Sequence, residues 1–269
     1  MLKSRLIPCI MTKGNLVVQS YNFKKFLPIG DVKTAIEFFV NWDVDEIVLV
    51  DIDATREGRS PNIELIEWAA TECFVPLCVG GGIKNISDIK RLLNAGADKV
   101  CINSVIEENT DFIRQASDIF GAQCITASID VVLEDDDYRV FSHKEKEASE
   151  NTPVEWAKMI EKQGAGEIFL NSVDRDGSRQ GYDIKLLKLI SEAVSIPIIA
   201  CGGVGKVAHL SDAILEGGCQ AAAAANIFQH TEHSTIAAKS HMLKSGVDVR
   251  LSSDVKYDDF KFDRTGRPL

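Results

Sequence analysis

Acidic residues close several apolar runs of this chain. Asp51 and Asp53 follow EIVLV, Asp130 ends QCITASI, and Asp174 and Asp176 lie in NSVDRDG. A carboxylate at the end of a buried strand faces an opening, where it can move protons or bind hydroxyls. Asp130 has the strongest claim because it directly ends an apolar run, whereas Asp and Gly in 174–177 also favour an ordinary turn. Glycines form a second group, Gly80-Gly81-Gly82 after VPLCV and Gly202-Gly203 after IPIIAC. Glycine admits close backbone approach to a ligand, and a following helix N-terminus offers unpaired N–H groups to an anion. Each pair alone could simply shape a tight turn. A third group is Arg5, Glu46, Lys99 and Glu167, each at the start of an apolar run. A lone charge there is usually a solvated strand end. Four of both signs on well-spaced strands permit a ring of ion pairs.

These residues are positioned by short β-branched runs alternating with helical periodicity. The runs 5–10, 46–51, 75–79, 98–103, 123–129, 167–171, 196–201 and 220–225 predict strands, and 86–95, 153–163 and 184–194 predict helices. Eight strands alternating with helices imply an α/β fold with a parallel sheet closed into a (β/α)8 TIM barrel. The halves also repeat at an offset of 121. Glu46-Ile-Val returns as Glu167-Ile-Phe, Pro76-Leu-Cys-Val-Gly-Gly-Gly as Pro197-Ile-Ile-Ala-Cys-Gly-Gly, and Asp51-Ile-Asp53 as Ser172-Val-Asp174. That length predicts a duplicated half-barrel, with halves of about 1–121 and 122–246 and a C-terminal extension over 247–269. The symmetry of the glycines predicts two phosphate sites, and so a small molecule with a phosphate at each end. Residues 11–31 and 131–152 predict long loops at the functional face, the acidic run Glu134 to Asp137 reading as a solvated hairpin.

The net charge of −10 argues against nucleic-acid binding. The apolar runs are too short for a membrane span, and the N-terminal residues lack a secretory pattern, so a cytoplasmic protein is expected. Seven scattered cysteines include no CxxC pair, and Cys9, Cys78, Cys101, Cys124 and Cys201 fall within strand-like runs. They read as small hydrophobes in a reducing compartment, with no metal or cofactor implied.

The chain resembles HisF, the cyclase subunit of imidazole glycerol phosphate synthase, from end to end. The resemblance runs through IPC at 7–9, DIDATREGR at 51–59, VGGGI at 79–83, AGADKVCINS at 95–104, GAQC at 121–124, GAGEI at 164–168, DRDG at 174–177 and GG at 202–203. It implies a lyase of histidine biosynthesis paired with a HisH-like glutaminase, whose ammonia enters at the barrel floor and travels through the interior. It assigns Arg5, Glu46, Lys99 and Glu167 to the ammonia gate and Asp98 to the glutaminase interface. Phosphate and substrate positions carry over to Gly81, Gly82, Asn103, Ser104, Asp176, Gly177, Gly202 and Gly203, with Ala225 and Asn226. Of the two catalytic aspartates in the family, Asp130 matches one and Met11 occupies the place of the other. Gln19 replaces a phosphate-holding lysine, Asn226 a serine after the last strand, and Asp53 a threonine. A methionine cannot carry a proton. This profile is most similar to the HisF-like branch of surface-glycan clusters, which implies acetamidino-sugar formation with an ATP-dependent N-acetyl-sugar amidotransferase as further partner. The alternative is a working cyclase of histidine biosynthesis.

Overall fold

The computed structural model describes residues 3–229, 235–253, 255–258 and 260–263. Its first half contains β1 (Arg5–Lys13), β2 (Leu16–Tyr21), β3 (Lys25–Asp31), α1 (Val32–Val40), β4 (Ile47–Asp51), α2 (Ile63–Glu72), β5 (Leu77–Gly80), α3 (Ile86–Asn94), β6 (Lys99–Ile102), α4 (Ser104–Glu108) and α5 (Asp111–Phe120). The second contains β7 (Ile125–Glu134), β8 (Asp137–Ser142), β9 (Glu147–Ala148), α6 (Pro153–Lys162), β10 (Glu167–Ser172), α7 (Ile184–Ser191), β11 (Ile198–Cys201), α8 (Ala208–Leu215), β12 (Ala221–Ala224) and α9 (Thr235–Lys244). Strands β1, β4, β5, β6, β7, β10, β11 and β12 pair in parallel in that order, and β12 returns to β1. The sheet is a closed (β/α)8 barrel, as the alternation of runs predicts.

The helices start where the sequence supplies caps. Asn85 and Asp88 form a reciprocal capping box on α3, which buries Ile89 and Leu92 against the sheet. Thr152 caps α6 ahead of Pro153, and Asp183 caps α7. The outer faces of the strands and the inner faces of these helices make one large core. A second, smaller cluster of Ile7, Cys9, Val48, Cys78, Cys101, Phe169, Ile199, Ala221 and Ala223 fills the barrel itself. Side chains alternate across a strand, so these positions fix which residues at the strand ends also face inward.

Three sequence expectations are corrected in detail. Residues 11–31 are not an irregular loop: β1 continues to Lys13, turns at Gly14 (φ 60°) and pairs with β2, which pairs with β3. The β-branched run LVV and the φ-permissive glycine make a hairpin the cheaper solution for so many backbone groups. Cys124 falls in a short 3-10 turn, Ala122–Cys124, ahead of β7 rather than inside it. Residues 131–152 are also mostly strand rather than loop, while the acidic run forms the expected hairpin, with Glu134 opposite Asp137 across an exposed turn. After Gly246, Val249 bridges to Ser4, and the Tyr257 hydroxyl donates to Asp43. Among the described residues, no helix is long and apolar enough to cross a membrane.

Candidate functional site

The barrel has two chemically distinct ends. At the floor, Arg5 donates to Glu46 at 2.6 Å and to Glu167 at 2.6 Å, while Lys99 donates to the same two carboxylates at 2.9 Å each. The four side chains therefore close a ring of alternating sign. Burial pushes the Arg5 guanidinium and the Lys99 ammonium down, but the charges and hydrogen bonds of Glu46 and Glu167 outweigh it, and both end raised. Each cation is thus held firmly charged. Glu46 is 1% exposed, and its Oε1 has no hydrogen-bond partner. Removing one member of such a buried network typically costs about 3–5 kcal/mol, because the others are left uncompensated. Beside the ring, Asp98 is exposed and accepts the Leu77 N–H at 2.9 Å, and Phe74 is 89% exposed.

Sequence gave no sign of a second buried network next to the floor. Lys239 of α9, fully buried, reaches Asp45 at 2.9 Å and Asp43 at 3.3 Å, and Asp45 also accepts the Leu6 N–H at 2.8 Å. It fastens the last helix to the start of β1.

Above the floor the interior carries no charge. It is walled by the small cluster named above, in which Cys78 contacts Cys101; Cys201, packed against that cluster, contacts Cys9. Those hydrogen bonds and burial push the Cys78 and Cys201 thiols up, so they remain neutral. All seven cysteines are free thiols.

The mouth gathers the inward-facing strand ends. Met11, Val50, Cys201 and Ala225 pack onto the interior cluster. Asp130, 5% exposed, accepts from Asn103 Nδ2 at 2.6 Å and lies 2.6 Å from His143 Nε2. The other four acids face elsewhere. Asp51 is clamped by Arg59 at 2.5 and 3.2 Å, and Asp53 pairs with Arg56 at 2.9 Å and Lys13 at 3.8 Å. Asp174 accepts the Leu133 N–H at 2.7 Å. Asp176 accepts from the Ser20 hydroxyl at 2.5 Å and the Phe23 N–H at 3.2 Å; burial raises its carboxyl against the lowering effect of those bonds. These four carboxylates tie down the loops around the mouth.

The glycines repeat in space as they do in sequence. A side chain at Gly81 would strike the Asp51 carbonyl at 2.1 Å, and one at Gly202 the Ser172 carbonyl at 2.7 Å; both glycines have positive φ. A side chain at Gly82 or Gly203 would likewise strike the Arg59 or Gly181 carbonyl, at 2.1 and 2.2 Å. Only glycine allows that approach. Gly82 donates its N–H to Thr55 Oγ1 at 3.1 Å. The offset of 121 also carries Ser104, which begins α4, to Ala225. Ala225 directly precedes the short 3-10 helix Asn226–Gln229. No side chain caps α4, which leaves N–H groups open toward the mouth. Asn226 donates to the Ser20 carbonyl at 2.9 Å, and its buried Oδ1 is unpartnered. Gln19 is buried and accepts from the Tyr21 hydroxyl at 3.1 Å. Gly177 packs beneath Ser20 and Tyr21.

His143 is the site residue that sequence reasoning missed. Phe23 stacks on its ring at 5.8 Å, and Phe141 meets it edge-on at 5.3 Å. Burial lowers the imidazole pKa, but the hydrogen bond and charge of Asp130, with the charge of Glu107, raise it above its ordinary value of 6.5. The hairpin turn expected over 134–137 does not by itself fix the register that brings His143 to Asp130. That turn pairs Val131 with Val140 and returns the chain past Asp130.

A family model described as "Histidine biosynthesis protein" matches residues 5–235. The chain is also 58% identical over 268 residues to a protein of Vibrio vulnificus (strain YJ016) named "Putative imidazole glycerol phosphate synthase subunit hisF2". That match covers 100% of this chain and 98% of the relative.

Proposed function

Because the chain belongs to the histidine biosynthesis protein family, as a HisF-like synthase subunit, we propose that it takes ammonia from a HisH-like glutaminase docked on its floor. The ammonia passes through the barrel, and its nitrogen serves acetamidino-sugar formation in surface-glycan biosynthesis, with an ATP-dependent N-acetyl-sugar amidotransferase as further partner. The observation that carries this reading is the contrast between the ends: a complete ring of Arg5, Glu46, Lys99 and Glu167, and Met11 at the mouth. An uncharged interior supports it, because a neutral ammonia molecule crosses such a lining far more cheaply than an ammonium ion. Asp98 and the exposed Phe74 beside the ring suit a protein partner, since an apolar residue rimmed by polar ones marks such contacts. Gly82 with Ser104, and Gly203 with Ala225, are the proposed phosphate cradles. The test is glutamine-dependent nitrogen transfer in the reconstituted complex, alongside assay of the purified chain with ammonium and the phosphorylated ribulosyl substrate of imidazole glycerol phosphate synthase. Transfer to an N-acetyl sugar with no cyclase turnover supports the reading; robust cyclase turnover sinks it.

A second reading, a working cyclase of histidine biosynthesis, is favoured by one observation. Asp130 is buried, oriented by Asn103 and paired with a histidine, an arrangement suited to proton transfer.

A further inference from the structure

The best organised ionisable pair outside the floor ring joins β7 to the hairpin that follows it. Asp130 Oδ2 and His143 Nε2 are 2.6 Å apart, and Asn103 fixes the same oxygen from β6. The imidazole is held from several sides. Phe23 stacks on one face, Phe141 abuts its edge, and Glu107 of α4 anchors the backbone beneath it, accepting the main-chain N–H of His143 at 3.2 Å and the Ser142 hydroxyl at 2.7 Å. Phe23 is itself locked, with φ of 57° and its N–H on Asp176. Two charged groups act directly on the ring: Asp130 from β7 and Glu107 from α4; Asp176, behind Phe23, completes the acidic surround. A hairpin needs no such apparatus to pack against a barrel. An imidazole oriented by a carboxylate, at a rim where a third of it is solvent-exposed, is built to exchange protons with a bound molecule.

We propose that His143 is the proton-transfer group of the mouth, oriented by Asp130, for condensation of ammonia with a carbonyl carbon of the phosphorylated substrate. It rests on the second reading above, in which nitrogen reacts at this end of the barrel. The nitrogen lone pair forms the C–N bond while the carbonyl π pair moves to oxygen, which takes the proton of Nδ1, the ring nitrogen that does not face Asp130. The nitrogen then returns one proton to the neutral ring, giving a carbinolamine. The ring protonates the hydroxyl, the C–O bond breaks, water leaves, and the nitrogen gives a second proton back. Ammonia and carbonyl become imine and water, and His143 ends protonated as it began. Asp130 holds the imidazolium throughout.

The full chain, supplied with ammonium chloride and the phosphorylated ribulosyl substrate, tests this. His143→Gln should lower kcat by about 10²–10⁴-fold while leaving KM within about threefold. It should also abolish the alkaline limb of the wild-type pH profile, where the imidazolium is lost. Phe23→Leu, which loosens the ring without removing it, should give about a tenfold loss, the scale of a mispositioned group. A wild type with no turnover at any pH defeats the second reading, and the proposal with it. A turning-over wild type matched within about threefold by His143→Gln overturns the proposal alone and leaves that reading standing. Titration of the His143 ring by NMR supplies a readout free of turnover. Its pKa should lie above 6.5 in the wild type and fall in Asp130→Asn; equal values in the two overturn the pairing.

Discussion

At the floor of the barrel, two cations share two carboxylates, and every charge has a partner on another strand. At the mouth of the same strands, one buried carboxylate meets an amide and an imidazole, and Met11 faces the opening. The floor is self-contained, because removing any member leaves the other three with an unbalanced charge. The mouth is open-ended, because its charges are completed by a hairpin, loops and whatever binds. A closed network resists change and an open one tolerates it, so divergence of function within this fold is expected at the mouth.

Four perturbations sharpen or break that contrast. Glu46→Ala carries the largest expected effect. It leaves Arg5 and Lys99 to share Glu167 alone and should cost about 3–5 kcal/mol in urea unfolding, while uncoupling glutamine-driven transfer more than transfer from free ammonium. A loss below about 1 kcal/mol, the scale of a solvated surface pair, would show that the ring is not a closed unit. Next, Met11→Asp should raise histidine-pathway cyclase turnover by about 10²-fold, the lower range for general acid–base help. No gain would locate the defect in Gln19 or Asn226 instead.

Phe74→Glu should weaken glutaminase binding by about tenfold, as loss of an apolar interface anchor does, with ammonium-driven turnover unchanged. Calorimetry with the glutaminase measures the first, and unchanged affinity would remove Phe74 from the interface.

The smallest effects are those of pH, and the two mouth histidines have opposite signs. His143 has a raised folded pKa, so between 6.5 and that value the folded chain holds more protons than the unfolded one. Its stabilisation of the hairpin is complete below 6.5 and is lost as pH rises through the folded value. His209, which accepts the Gly205 N–H at 3.2 Å, is lowered to about 4 by burial and by Lys206. Between 4 and 6.5 the unfolded chain holds more protons, so stability at that loop falls as pH drops. Amide exchange in residues 142–148 and 202–206 across this range reads both; a common direction would refute the assignment.

The floor could be read from sequence because each of its four charged residues stands immediately before or at the start of an apolar run. In a closed parallel barrel, place along a strand is height along the axis, so four such residues must share one level. The offset of 121 similarly fixed the glycines of the two halves before their common steric role was visible. The mouth was less legible. Asp51, Asp53, Asp174 and Asp176 follow apolar runs as Asp130 does, yet only their partners reveal that they bind loops while Asp130, inside a β7 that continues to Glu134, turns inward. His143 lies 13 residues from Asp130 in a charged stretch, and a one-residue change in register would have sent it outward.

Sequence by itself determined the eight strands, their duplication and the matching charges at their starts, because strand periodicity and the closed-barrel topology leave little freedom. Tertiary structure decided that Asp130 turns inward beside His143 and that the floor charges close into a ring. Those outcomes depend on distances between strands and loops far apart in the chain. Only packing sets such distances.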